Sequence, residues 1–121
     1  MADKLLIILV NTGERDSAEL SAPFIQATVA ATMEYEVEVL FSGGAGSLAR
    51  RGVASSIALE GEGGSLLDLM RGAHEAGVLF KACAPAVEAW GEELIDEIDE
   101  VVGAAYLVSE AMSDGTVTFT Y

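Results

Sequence analysis

Cys83 is the residue of this chain best suited to chemistry. It is the only cysteine, and it closes the apolar run Val78-Leu79-Phe80-Lys81-Ala82 just before Ala84-Pro85-Ala86. The run reads as a buried strand, and Pro85 suits the first turn of a helix. A thiol between a strand end and a helix start sits where an anion is stabilised, which favours nucleophilic thiolate chemistry. Lys81 lies two residues earlier and shares the face of Cys83 in a regular strand, where it would add positive potential. The competing reading is an inert buried thiol, because free cysteines often behave as small hydrophobes. Residue types alone leave both readings open.

Few other groups could support such chemistry. His74 is the only histidine. It falls near the end of a helix predicted over 65–76, where it would serve either as a base for Cys83 or as a solvent-facing or capping side chain. Gly43-Gly44-Ala45-Gly46 could cradle a phosphate, but no Gly-Lys-Ser/Thr ending follows, and the dinucleotide pattern after the first strand is incomplete. Arg50 and Arg51 stand nearby as anion ligands or as partners of acids. With Arg71 and Lys81 they are four of the six basic residues, and they would form a positive island only if the fold gathers them. Otherwise they are scattered ion pairs. Phe80, Trp90 and Tyr106 read as core or subunit-interface aromatics. A single cysteine excludes an internal disulfide and a multi-cysteine zinc site, and no calcium-loop spacing is present. No metal or cofactor is implied.

The charge balance narrows the partners. Twenty acidic residues against six basic ones give a net charge of −14. Such a field repels nucleic acid and anionic membrane, so neither is an expected partner. An acidic face for a basic protein and an adaptation to high salt explain it equally well. The run at 5–10 is too short to span a membrane, and no signal-peptide pattern precedes it. A cytoplasmic location, where an unpaired thiol stays reduced, is the expectation.

At 121 residues and 51% hydrophobic, the chain is long and apolar enough for one domain, 1–121, with a real core. Leu5–Val10 is continuously apolar, as in a central parallel strand covered on both faces. Asn11-Thr12-Gly13 ends it. A helix follows within 14–33, capped by Asp16 or Ser17, or else starting near Ser21 with Pro23 in its first turn. Tyr35–Phe41 alternates polar and apolar residues, which predicts a strand nearer a sheet edge. A flexible loop at 42–46 and an ambiguous stretch over 47–59 come next, then a loop at 60–64. Ser65 and Asp68 form a partial capping box for the helix ending at Gly77. A short helix ends at Gly91. The segment 92–100 is dominated by acids, no basic residue follows Lys81, a helix is predicted over 101–112, and 116–121 makes a final strand. This order predicts an α/β fold: a mostly parallel open sheet of about four to five strands with helices on both faces. Ligand groups in such folds gather at the carboxyl ends of strands, where Asn11-Thr12-Gly13, Gly43–Gly46 and Cys83 all fall.

With these elements in order, the chain resembles the DsrE/DsrF-like family of sulfur-relay proteins over nearly its whole length. The likeness rests on the opening strand with Asn11-Thr12-Gly13, the middle helix ending at Gly77, the strand-end cysteine, and Val101-Val102-Gly103-Ala104-Ala105 at the approach to the last helix. The resemblance implies a small parallel α/β fold assembled as a trimer or hexamer. It also implies that Cys83 accepts sulfur as a persulfide, from a donor protein or a small sulfane-sulfur species, and passes it to a partner protein. Some members lack the cysteine and serve as structural subunits; this chain keeps it. A noncatalytic oligomeric subunit and an anion- or nucleotide-binding module using Gly43–Gly46 with Arg50 and Arg51 are the alternatives. Whether the chain turns over as a sulfurtransferase stays open.

Overall fold

Among the described residues, five strands run parallel in one sheet: β1 (Lys4–Leu9), β2 (Glu36–Phe41), β3 (Leu79–Cys83), β4 (Ile98–Val102) and β5 (Thr116–Thr120). Their order across the sheet is β4-β3-β2-β1-β5. The computed structural model describes residues 3–11, 17–59, 64–91 and 93–121. Four helices connect the strands: α1 (Ser17–Thr32), α2 (Leu66–Glu75), α3 (Ala84–Trp90) and α4 (Ala104–Ala111). Two 3-10 segments, Gly43–Ala49 and Ala54–Ser56, follow β2. No described helix is long and apolar enough to cross a membrane.

The main core lies on the face covered by α1 and α2. Ile7, Val39, Phe41 and Phe80 project from the strands against Leu20 and Phe24 of α1 and Met70 of α2. Phe24, Phe41 and Phe80 meet as a ring triad with centroids 5.6–6.0 Å apart. Burying each such side chain contributes about 1.5–3 kcal/mol. α2 forms where its signals stand. The Ser65 hydroxyl accepts from the Asp68 amide, the Asp68 carboxylate accepts from the Ser65 amide at 2.9 Å, and the helix stops before Gly77 at φ 108. A left-handed residue there favours glycine.

α4 covers the opposite face, yet none of its residues is buried. It is held by polar contacts: Tyr106 donates to Glu38, and the Lys4 ammonium meets both Glu38 and Glu110.

The strand 35–41 is not near an edge. β2 lies at the centre of the sheet, paired with β1 and β3. Its alternation comes from Glu36, exposed at the strand's start, and from Glu38, which is 4% exposed and ion-paired rather than solvated. The acidic stretch also hides a strand. β4 pairs with β3 along one edge, so Val101 and Val102 are strand residues and the last helix begins only at Ala104. α1 continues through Pro23, which sits buried inside it, so the helix neither begins there nor breaks. Residues 43–46 form ordered 3-10 turns rather than a loose loop, and the stretch 47–59 continues as 3-10 segments and turns. Asp16 as a cap and the loop at 60–63 lie outside the described residues.

Candidate functional site

Cys83 is the last residue of β3 and the residue on which α3 starts. Parallel pairing fixes its depth. Cys83 stands opposite Val102 of β4, so its immediate strand neighbour is apolar, while Glu100 stands opposite Lys81. The thiol-bearing residue is half-buried. It lines an open pocket of about 430 Å³ together with Gly43, Pro85, Ala86, Ala89 and Trp90.

Two elements build this pocket. α3 supplies one wall and the Gly43–Ala49 segment the other. They are clamped by the Trp90 indole, whose Nε1–H donates to the Gly43 carbonyl at 3.0 Å. Gly46 permits the approach. A Cβ at that position would stand 2.7 Å from the Ala86 Cβ and 2.9 Å from Trp90 Cδ1, closer than packed carbons tolerate. Gly43 adopts φ 52 and turns the chain over the end of β1, where a Cβ would meet the Val10 carbonyl at 3.1 Å. The second glycine of the group, Gly44, is exposed, while Ala45 through Ala49 are buried. The glycines here serve packing between two elements.

Lys81 shares the face of Cys83, since both are half-buried and alternate with buried Phe80 and Ala82. Its ammonium is committed elsewhere. It reaches Glu38 at 2.5 Å and Glu100 at 3.4 Å, donates to the Tyr106 hydroxyl, and lies 4.4 Å from the Tyr106 ring centroid. Burial lowers its pKa, but the bonds to Glu38 and Tyr106 outweigh this and hold it above the ordinary lysine range. Burial likewise pushes the Glu38 carboxyl up. The hydrogen bonds from Lys4, Lys81 and Tyr106, with the charge of Lys4, reverse that and bring it down to about 2.

The remaining candidates disperse. His74 contacts both carboxylate oxygens of Asp99 at 3.1 Å and tilts against Phe80; it does not line the pocket of Cys83. Arg51 pairs with Asp96 at 2.7 Å and Arg71 with Glu97 at 3.2 Å. With Lys81 bound to Glu38, these cations form separate ion pairs rather than a free positive island. Arg50 is exposed and approaches Gly91. Asn11 is exposed, and its amide donates to the Tyr121 carbonyl at 3.0 Å. Thr12 and Gly13 lie outside the described residues.

Sequence reasoning missed two features. One is the Trp90–Gly43 clamp, for which the only signal was a glycine cluster preceding a lone tryptophan. The other is the ionic cluster of Lys4, Glu38, Lys81 and Tyr106, whose members are far apart in the chain. Its signal was a carboxylate and a lysine inside runs otherwise suited to buried strands.

No curated protein matches this chain. Among solved structures, seven chains match, including the ychN protein of E. coli, which superposes with a TM-score of 0.70 at 20% identity over 96% of this chain and 99% of that one. That likeness is one of fold. The sequence pattern of the DsrE/DsrF-like family matches residues 4–119, almost from the start of β1 to the end of β5, and the chain belongs to that family.

Proposed function

We propose that this protein is a cytoplasmic sulfur carrier that accepts sulfane sulfur as a persulfide on Cys83 and passes it to the thiol of a partner protein. The observation that supports this reading is the position of Cys83, half-buried at the carboxyl end of β3 and lining an open pocket. Family membership agrees with it. In thiol exchange of this kind, the Cys83 thiolate attacks the outer sulfur of a donor. A sulfur–sulfur bond forms as the donor bond breaks, and the acceptor thiolate later repeats the step on the persulfide. Such exchange needs access and a thiolate but no metal. One cysteine leaves no resolving thiol in the same chain, so discharge requires a second molecule.

The test is intact mass after incubation with a sulfane-sulfur donor at neutral pH. The expected product gains about 32 Da, one sulfur, and loses it on reduction. Cys83→Ser should abolish the gain completely. A wild-type thiol that stays unmodified, or a gain that persists in Cys83→Ser, overturns the reading.

The carrier is further proposed to act as a homo-oligomer, a trimer or hexamer. Support comes from the apolar face between α1 and β5, where Ile25, Val29, Met33, Tyr35, Val117 and Phe119 are each 41–60% exposed. Contiguous apolar surface of this kind marks an interaction site. Val29→Glu combined with Phe119→Asp is expected to reduce the mass in light scattering to that of one chain. Unchanged mass in the doubly substituted protein would assign the assembly to another surface.

A further inference from the structure

We infer that the pocket of Cys83 selects carbon-bound persulfides, R–S–SH, over inorganic thiosulfate, and that Trp90 is a specificity-determining residue for that choice. The inference rests on the carrier reading above and adds the substrate class.

The lining carries it. Gly43, Pro85, Ala86, Ala89 and Trp90 bring no charged or hydroxyl side chain to the space beside Cys83. The one side-chain donor among them, the Trp90 indole N–H, is spent on the Gly43 carbonyl. What Trp90 offers the pocket is therefore ring carbon. Pro85 has no amide hydrogen, so it removes one of the backbone donors a helix start would otherwise present. Lys81 is held by Glu38 and Tyr106, and Arg50 approaches Gly91 without joining the lining. Among the described residues, the lining offers an entering dianion no counter-charge, in a protein of net charge −14.

The chemistry separates the two donors further. With an organic persulfide, the Cys83 thiolate attacks the outer sulfur. The new Sγ–S bond forms as the R–S bond to that sulfur breaks, and its electron pair leaves on RS⁻. The proton stays on the transferred sulfur, giving Cys83–S–SH, with one negative charge on each side of the equation. With thiosulfate, the leaving group is sulfite, and two charges must be neutralised in the pocket as it departs. The apolar wall stabilises the R group of the first donor and does nothing for the second.

The experiment compares loading rates of the full chain by intact mass with three probes: glutathione persulfide, a persulfidated short cysteine peptide, and thiosulfate. Both carbon-bound probes are expected to load Cys83 about tenfold or more faster than thiosulfate. The faster of the two identifies a small-molecule or a protein-borne donor. Trp90→Ala should slow the carbon-bound probes about five- to tenfold and leave thiosulfate unchanged, because covering one or two methylene groups of R on the ring is worth about that factor. Ala89→Lys, at an exposed lining position, should raise thiosulfate loading several-fold, and it tests the inference even if the tryptophan variant fails to fold. Thiosulfate loading as fast as the organic probes in the native protein overturns the selectivity while sparing the carrier. So does an Ala89→Lys protein with no gain. Trp90→Ala slowing all three probes alike removes Trp90 from the role. No loading from any probe removes the carrier reading itself.

Discussion

Glu38→Ala is expected to destabilise the fold by about 3–5 kcal/mol, the range for removing one partner of a buried ion pair. Glu38 is 5% exposed at its side chain, and Lys4 and Lys81, which both contact it, are 15% and 12% exposed. Alanine would leave two nearly buried ammonium groups without their shared carboxylate. Chemical denaturation of the single variant and of Glu38→Ala combined with Lys81→Met provides the measurement. The double variant should lose less than the single one, because it also removes a stranded charge. With Lys81→Met measured alone, a double-variant loss equal to the sum of the two single losses would show that the pair is not coupled.

The same carboxylate sets an acid limit. Its folded pKa of about 2 lies below the ordinary 4.5, so its contribution is fully present above pH 4.5 and disappears as pH falls toward 2. The shift corresponds to on the order of 3 kcal/mol. Lys4 and Lys81 are shifted the other way, so their contribution is full below their ordinary 10.5 and fades only as pH rises through their folded values. Wild-type stability should therefore drop between pH 4.5 and 2, and Glu38→Ala should flatten that drop.

Phe80→Ala is expected to cost a comparable 3–5 kcal/mol, through lost burial and the cavity left behind. Phe80 is fully buried and touches both Phe24 and Phe41, so it ties β3 to α1 and β2. Its amide also donates to Asp99 at 2.9 Å, which ties β3 to β4. Against a total stability of about 5–15 kcal/mol, the loss should show as a large fall in the urea midpoint. Phe80→Leu keeps most of the volume and should cost much less. A loss below about 1 kcal/mol for alanine would mean that the ring triad does not anchor the strand carrying Cys83.

Much of the architecture was legible because local signals agreed with the global fold. The uninterrupted run at 5–10 became β1 and the run at 78–82 became β3, both interior to the sheet, although Leu79 at the start of β3 is 45% exposed. Ser65, Asp68 and Gly77 bound α2 as their chemistry requires. β4 was hidden because an edge strand needs only part of its surface buried. Asp99, Glu100 and Val101 are exposed, leaving Val102 as its one buried side chain. Glu38 misled for a different reason. Period-two alternation reports a polar face, but it cannot tell a solvated carboxylate from one neutralised by Lys4 and Lys81 on neighbouring strands. At the site, Cys83 was legible from its type and its place at a strand end. Trp90 was not, since its role depends on Gly43, which packs against it only in the folded chain. His74 and Arg51 each carried a functional and a structural reading in the sequence, and Asp99 and Asp96 engage them.

The strand order has a consequence for biogenesis. β1 leaves the ribosome before the other four strands, and β2 can cover only one of its edges. The other edge waits for β5, which arrives after three further strands and α4 have emerged. A nascent chain halted after Val102 would hold the backbone of Lys4–Leu9 open along that side, beside aliphatic residues, and would be a ready template for another copy. Chaperone dependence and co-translational aggregation should therefore peak in that window and subside once Thr116–Thr120 docks.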